Sequence, residues 1–293
     1  MSKSKKNKGK SRMIYDMVDF GIRILESGKL KLQKDCIISM DEISKDAIDN
    51  TIGSRLDALE DNSTVSAEET AILTVNGNCC NQMHCYKMLS RIGVEGTQTL
   101  VTILNRKQAR KAFNFMNDGI IGTLLRTSNL GTIYNAIRDN WYDLLQKSEG
   151  MDCILYIPGI TIIADEDLSR ILDNQSHKVN LLVYVGKAKQ CTYDTDDTFM
   201  DGGFDEDDDD AKRIQEIVHG VLESAVRLNC SDLIIDPLDT KLFMKDVYLT
   251  AKIWHKEIEE SRFTNHLKTI DFCIPDDDYF IIFWKSKRMR QRM

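Results

Sequence analysis

Cys79, Cys80, His84 and Cys85 form the densest set of metal-ligand types in the chain. Zinc would take them as thiolates and imidazole, but zinc sites usually use two separated pairs, and no second half stands elsewhere in the sequence. A helix starting near Asn81 would turn Cys85, Met88 and Leu89 to its buried side, so packing is the expected role and no metal is expected. The run DTDDTFMDGGFDEDDDD at 194–210 offers carboxylates for calcium. A calcium loop needs glycine at its sixth position, and counting from Asp194 that residue is Phe199, so the run reads as a solvated acidic insertion. The five histidines, His84, His177, His219, His255 and His266, have no serine or cysteine in a sharp glycine-flanked turn beside them, and each reads as helix or loop surface.

The stretch with the clearest chemical outline is Leu233 to Trp254, LIIDPLDTKLFMKDVYLTAKIW. A buried strand feeds a loop and then an amphipathic helix, the arrangement that binds phosphate at a helix N-terminus. Yet the loop holds no glycine. Side chains along it would keep backbone N–H groups from converging on phosphate oxygens.

The rest of the chain must position these residues. At 293 residues, with 42% hydrophobic and 29% charged content, it can bury one large α/β core. The net charge of -7 argues against whole-surface nucleic-acid binding, although both ends are basic and the middle acidic. No apolar run reaches the roughly 18 residues that span a bilayer, and the chain starts with lysines, so an intracellular protein, cytoplasmic or nuclear, with no membrane contact is expected. The eight cysteines read as free thiols, Cys153 and Cys273 inside apolar strands.

In order, residues 1–12 read as a disordered basic tail. Met13, Met17, Phe20 and Ile24 predict a helix stopped by Gly28, an extended piece covers Leu30 to Ile38, and Asp41 is placed to cap a second helix through Ile43, Ala47 and Ile48. Strands are expected at Ala71–Val75, Leu100–Leu104, Val179–Val185, Asp232–Ile235 and Ile270–Ile274. Two more short ones are expected in Cys153–Ile163, broken at Pro158 and Gly159. Tyr279–Trp284 is a further apolar run. Asn105–Gly122 reads as a long connection, and Leu124–Leu145, Ala211–Leu228 and Val247–Ile258 as helices. Strands alternating with helices predict a three-layer α/β domain with a mixed sheet. The organisation expected is a helical N-terminal region at 13–75, an α/β domain at 76–284 and a basic C-terminal tail at 285–293.

With its elements in this order, the chain resembles the microbial-type poly(ADP-ribose) glycohydrolases, a macrodomain-like branch with a helical N-terminal extension. Val101 to Tyr134, VTILNRKQARKAFNFMNDGIIGTLLRTSNLGTIY, is similar to the family's central strand, catalytic loop and following helix. Where the family has Asn-Pro-Gly-Gly-Gly, this chain has Lys111, Ala112, Phe113, Asn114 and Phe115. Where the family has Gln-Glu-Glu, it has Thr123, Leu124 and Leu125. The opening loop aligns with the family's diphosphate loop, whose glycines fall on Asp236, Asp239, Lys241 and Met244, while Phe243 and Asp246 persist. Two carboxylates thus stand where an anion would bind, and at roughly 4 Å they repel by on the order of a few kcal/mol.

The resemblance implies a pocket drawn from Asn105, Arg110, Asn114, Phe115, Gly119, Asp236, Lys241, Phe243 and Asp246, with Phe113 and Phe115 filling space. It implies no catalytic residue at Leu124 or Leu125, because leucine can neither protonate a leaving oxygen nor activate water. The expected protein is a pseudoenzyme that binds ADP-ribose weakly or not at all, needs no cofactor and acts as a binding or structural module with a protein partner. Two alternatives stay open. One is a divergent ADP-ribosyl hydrolase or ADP-ribose reader, with carboxylates relocated among Asp118, Asp165, Glu166 and Asp236. The other is a nucleic-acid-associated adaptor using Lys3 to Arg12 and Lys285 to Arg292, whose contacts would be to phosphate and sensitive to salt.

Overall fold

The computed structural model describes residues 18–31, 37–63, 73–79, 98–117, 119–164, 178–187, 209–236 and 247–274. Helix α1, residues 18–27, stops at Gly28, whose φ of 62° is a left-handed conformation that glycine adopts without strain. Strands β1 (Lys29–Lys31) and β2 (Ile37–Ser39) pair antiparallel as a separate two-stranded sheet. Helix α2 (Met40–Asp49) is capped by Ser39, whose Oγ accepts from the Glu42 amide at 3.4 Å. Asp41, expected as the cap, sits instead in the first turn. There its charge, with that of Glu42, complements the helix dipole.

The main sheet comprises β3 (Ile52–Arg55), β4 (Thr74–Cys79), β5 (Thr99–Leu104), β6 (Cys153–Thr161), β7 (Lys178–Val185), β8 (Asp232–Ile235) and β9 (Thr269–Ile274). Its order is β3-β6-β7-β5-β8-β9-β4. The five strands from β7 to β4 run parallel, and β6 runs antiparallel to both β3 and β7. Edge strand β3 comes from the chain before residue 76, and β4 crosses that position.

Helices α3 (Arg106–Ala112), α4 (Ile120–Thr127) and α5 (Leu130–Lys147) follow β5. Helix α6 (Asp209–Arg227) precedes β8, and α7 (Val247–Ile258) and the short α8 (Ser261–Thr264) precede β9. Alternate strand residues sort between two cores, as the two-residue period of a strand requires. Val101, Leu182, Tyr184, Leu233 and Ile235 pack with Val218, Val221, Leu222 and Trp254 of α6 and α7. Leu100, Leu181, Val183 and Ile234 pack on the other face with Leu124, Ile133 and Trp141 of α4 and α5. The result is the three-layer mixed α/β architecture that the alternation of elements predicts.

Several element boundaries differ from the sequence reading: the strand expected at Ala71–Val75 runs over Thr74–Cys79, and the extended piece expected at Leu30–Ile38 holds the paired strands β1 and β2. The 105–122 connection contains α3 and the start of α4, because the cap at Asn105 and the helix-favouring run Arg106–Ala112 outweigh its polar composition. Leu124–Leu145 is two helices, parted at Ser128, whose backbone is extended and bridges to Ile162. Cys153–Thr161 is one strand with a register shift between Ile157 and Ile160. Gly159, at φ 65°, absorbs the irregularity, and its amide donates to Asn180 Oδ1 at 3.0 Å. Cys153, Cys230 and Cys273 are buried thiols.

Asn129, between α4 and α5, ties α2 to the sheet. Its Nδ2 donates to the Ile43 carbonyl and Ser44 Oγ, both at 3.1 Å, and its Oδ1 accepts from the Thr161 amide at 2.8 Å. No described helix is long and apolar enough to cross a membrane.

Candidate functional site

Strands β5 and β8 lie side by side, with Val101 opposite Ile235, and both end at the same edge of the sheet. Here the connections part: β5 leads towards β6 on one side, β8 towards β9 on the other. Open α/β sheets bind ligands outside such carboxyl ends. Asp236, the residue after β8, donates its amide to the Val101 carbonyl at 2.9 Å, and its Oδ2 accepts from Thr102 Oγ1 at 3.3 Å. Its carboxylate is thus held against β5. Asp118, Asp165, Glu166, Asp239, Lys241, Phe243, Met244 and Asp246 lie outside the described residues, as do Cys80, His84 and Cys85.

Asn105, the residue after β5, is committed to its own helix. Its Oδ1 accepts from the Gln108 amide at 2.8 Å while Gln108 Oε1 accepts from the Asn105 amide at 2.9 Å, a reciprocal capping box. Arg110 is exposed in the last turn of α3. Asn114 closes a local turn, its Oδ1 accepting from the Met116 amide at 2.9 Å. Phe113 stacks on Tyr134 with ring centroids 4.2 Å apart, and burial raises the Tyr134 phenol, which stays protonated. Phe115 reaches towards α1 and α5: a Cβ added at Gly21 would stand 2.9 Å from its ring, and one at Gly131 3.1 Å. These two aromatic residues pack the loop onto neighbouring helices.

Gly119 is the N-cap of α4, with an extended backbone and no side-chain cap. One turn on, a Cβ at Gly122 would lie 2.0 Å from the Asn117 carbonyl oxygen, so glycine is the residue that fits there. All residues of α4 are buried. Leu124 is 0% exposed and Leu125 2%, both in the apolar core, and each such leucine contributes about 1.5–3 kcal/mol by leaving water. Thr123 Oγ1 donates back to the Gly119 carbonyl at 3.3 Å. Helix α4 therefore offers no carboxyl group for acid–base chemistry.

Two buried arginines organise this region, and the sequence reading missed both. Arg126 donates through Nη1 to the carbonyls of Phe115 and Asn117, the latter at 2.8 Å, and through Nη2 to Thr123 Oγ1 at 3.2 Å. It holds the loop before α4 by its backbone. Arg106 donates to the carbonyls of Leu145 and Met151, each at 2.6 Å, and to that of Ser148, satisfying acceptors at the end of α5. An arginine inside an apolar run such as IIGTLLRT was the available signal, because a guanidinium placed there needs acceptors nearby.

No protein-family model and no curated protein sequence matches the chain. Solved structures do. The poly(ADP-ribose) glycohydrolase of Thermomonospora curvata superposes with a TM-score of 0.68 at 15% identity, covering 93% of this chain and 98% of that one. The same enzyme bound to the inhibitor ADP-HPD gives 0.64 at 14% over the same shares. The glycohydrolase of Deinococcus radiodurans in complex with ADP-ribose gives 0.53 at 12%, covering 89% of this chain and 99% of that one. The chain has the macrodomain-like fold of the bacterial poly(ADP-ribose) glycohydrolases, built on a nearly unrelated set of residues.

Proposed function

We propose that the chain is a non-catalytic, glycohydrolase-like protein, a pseudoenzyme that serves as a binding or structural module. The observation that carries this is α4, where the resemblance assigns the catalytic glutamates to Leu124 and Leu125 and both side chains are enclosed by the core. Cleaving a glycosidic bond at a ribose needs a carboxyl group to protonate the leaving oxygen or activate water, and neither leucine can. The ligand class suggested by fold is an ADP-ribose-type molecule, bound weakly or no longer, and the partner a protein. The test pairs two measurements on the full chain. Incubation with a poly(ADP-ribosyl)ated protein should release no ADP-ribose, and calorimetric titration with ADP-ribose should give no micromolar binding. Release of ADP-ribose would overturn the catalytic half, and micromolar affinity the loss of binding.

A divergent hydrolase is the second reading, favoured by the position of Asp236 at the shared edge of β5 and β8. It requires a release activity that Asp236→Ala abolishes. Nucleic-acid association through the basic ends rests on Lys3 to Arg12 and Lys285 to Arg292 alone. Binding to DNA or RNA that survives deletion of both ends would remove it.

A further inference from the structure

We propose that His219, Glu257 and Glu260 form a binding site for one divalent transition-metal ion, on the side of the sheet away from α4. Their ligand atoms all lie within 4.8 Å of one another. His219 comes from α6, Glu257 from the last turn of α7, and Glu260 from the residues just beyond, so the ion would bridge two helices that pack together. This inference is independent of the functional reading above.

The chemistry favours a cation for four reasons. Glu257 carries a carboxylate whose side chain is only 2% exposed, and among the described residues no lysine or arginine meets it. A buried carboxylate that faces an imidazole rather than a permanent cation is costly to keep ionised, and a bound metal removes that cost. Second, the carboxylate is already oriented: Gln215 Nε2 donates to Oε1 at 2.7 Å, leaving Oε2 turned to His219. A hydrogen bond of this kind, which fixes a ligand from behind, is a recurrent part of metal sites.

Third, His219 Nδ1 stands 3.0 Å from Glu257 Oε2. Bonds of about 2.0–2.2 Å to zinc place neighbouring ligand atoms roughly 3 to 3.5 Å apart, so an ion can replace the proton shared by this pair with little movement. Glu260 is exposed, and its carboxylate lies within 4.8 Å of the other two ligand atoms, near enough to complete the set. Fourth, the C-terminal end of a helix carries partial negative charge, and Glu257 and Glu260 flank the end of α7. An imidazole among the ligands selects zinc, cobalt or nickel over magnesium and calcium.

The test uses the full chain, stripped with a chelator and titrated with Co2+ under excess Mg2+, which occupies purely carboxylate sites such as the acidic run at 194–210. Uptake is read by equilibrium dialysis and by the visible spectrum, because thiolate ligation adds intense sulfur-to-metal charge-transfer absorption and nitrogen–oxygen ligation does not. One equivalent free of that sulfur signature is expected. It should disappear in Glu260→Ala, at an exposed position, and in His219→Ala, whose folding is checked by circular dichroism because its ring also packs on Phe263, and weaken about tenfold in Gln215→Ala. Uptake carrying only the sulfur signature, no uptake, or a nitrogen–oxygen equivalent unchanged in both His219→Ala and Glu260→Ala would overturn the assignment.

Discussion

The two helical layers stabilise their buried charges in different ways. Around α4 and α5, the guanidinium groups of Arg106 and Arg126 donate to backbone carbonyls, so a cation serves to close loops and helix ends. Around α6, Arg213 and Glu223 meet opposite charges. Arg213, with a side chain 7% exposed, pairs with Asp152 at 2.9 Å and with Glu216 at 2.9 Å, and Glu223 pairs with Arg227 at 2.6 Å and Arg262 at 2.8 Å. A carbonyl does not titrate and a carboxylate does. The carbonyl bonds around α4 and α5 are therefore indifferent to pH, while the ion pairs around α6 depend on ionisation.

Removing Arg213 should break the contrast most severely. Arg213→Ala leaves the partly buried Asp152 without its cation and should cost about 3 kcal/mol or somewhat more in denaturant unfolding. Acid sharpens the same point. Burial pushes Asp152 and Glu216 up, but Arg213 and its neighbours outweigh that: Arg213 and the Lys187 amide hold Asp152 below the usual carboxylate range, and Lys187 and Arg213 hold Glu216 there. A carboxylate depressed in the folded state adds stability above its ordinary range and loses it as pH falls through the folded value. Stability should therefore decline below about pH 4, and Arg213→Ala should flatten that decline. An unchanged acid profile in the variant would show that other carboxylates carry it.

On the other layer the largest effect should come from shape. Gly122→Ala places a methyl group against the Asn117 carbonyl, a backbone atom that cannot swing away, and should cost about 3 kcal/mol independently of pH. A cost below about 0.5 kcal/mol would mean that the loop before α4 moves freely. The smallest effect belongs to Asn105→Ala, which deletes one half of the capping box and should lower stability by about 1 kcal/mol. Because Asn105 is engaged with Gln108, Asn105→Ala and Gln108→Ala should be non-additive in a double-mutant cycle.

The sequence conveyed the framework well where one period ran unbroken. Strand β8 and helix α7 fall on the expected residues because Leu233–Ile235 is uniformly apolar and Val247–Ile258 keeps a helical face. The resemblance likewise anticipated the fold, since hydrophobic framework outlasts the chemistry built on it. What could not be read was every feature made by residues distant along the chain. Arg106 and Ser148, or His219 and Glu257, are brought together by folding alone. The cysteine cluster drew attention to metal chemistry because its members are adjacent, and the His219 set did not because its members are apart. Boundaries failed where a single side chain decides the outcome, as when Ser39 rather than Asp41 caps α2.

Asn129 has a consequence for how the molecule comes apart. It is fully buried, and one amide group is bonded to α2 and β6 at once. Detaching α2 alone would strand buried donors, each unmet group costing about 1–3 kcal/mol, while the sheet stayed intact. Partial opening is thereby penalised relative to complete unfolding. Amide protons of α2 and of β6 should exchange with solvent at a common slow rate, marking them as one cooperative unit despite the length of chain between them.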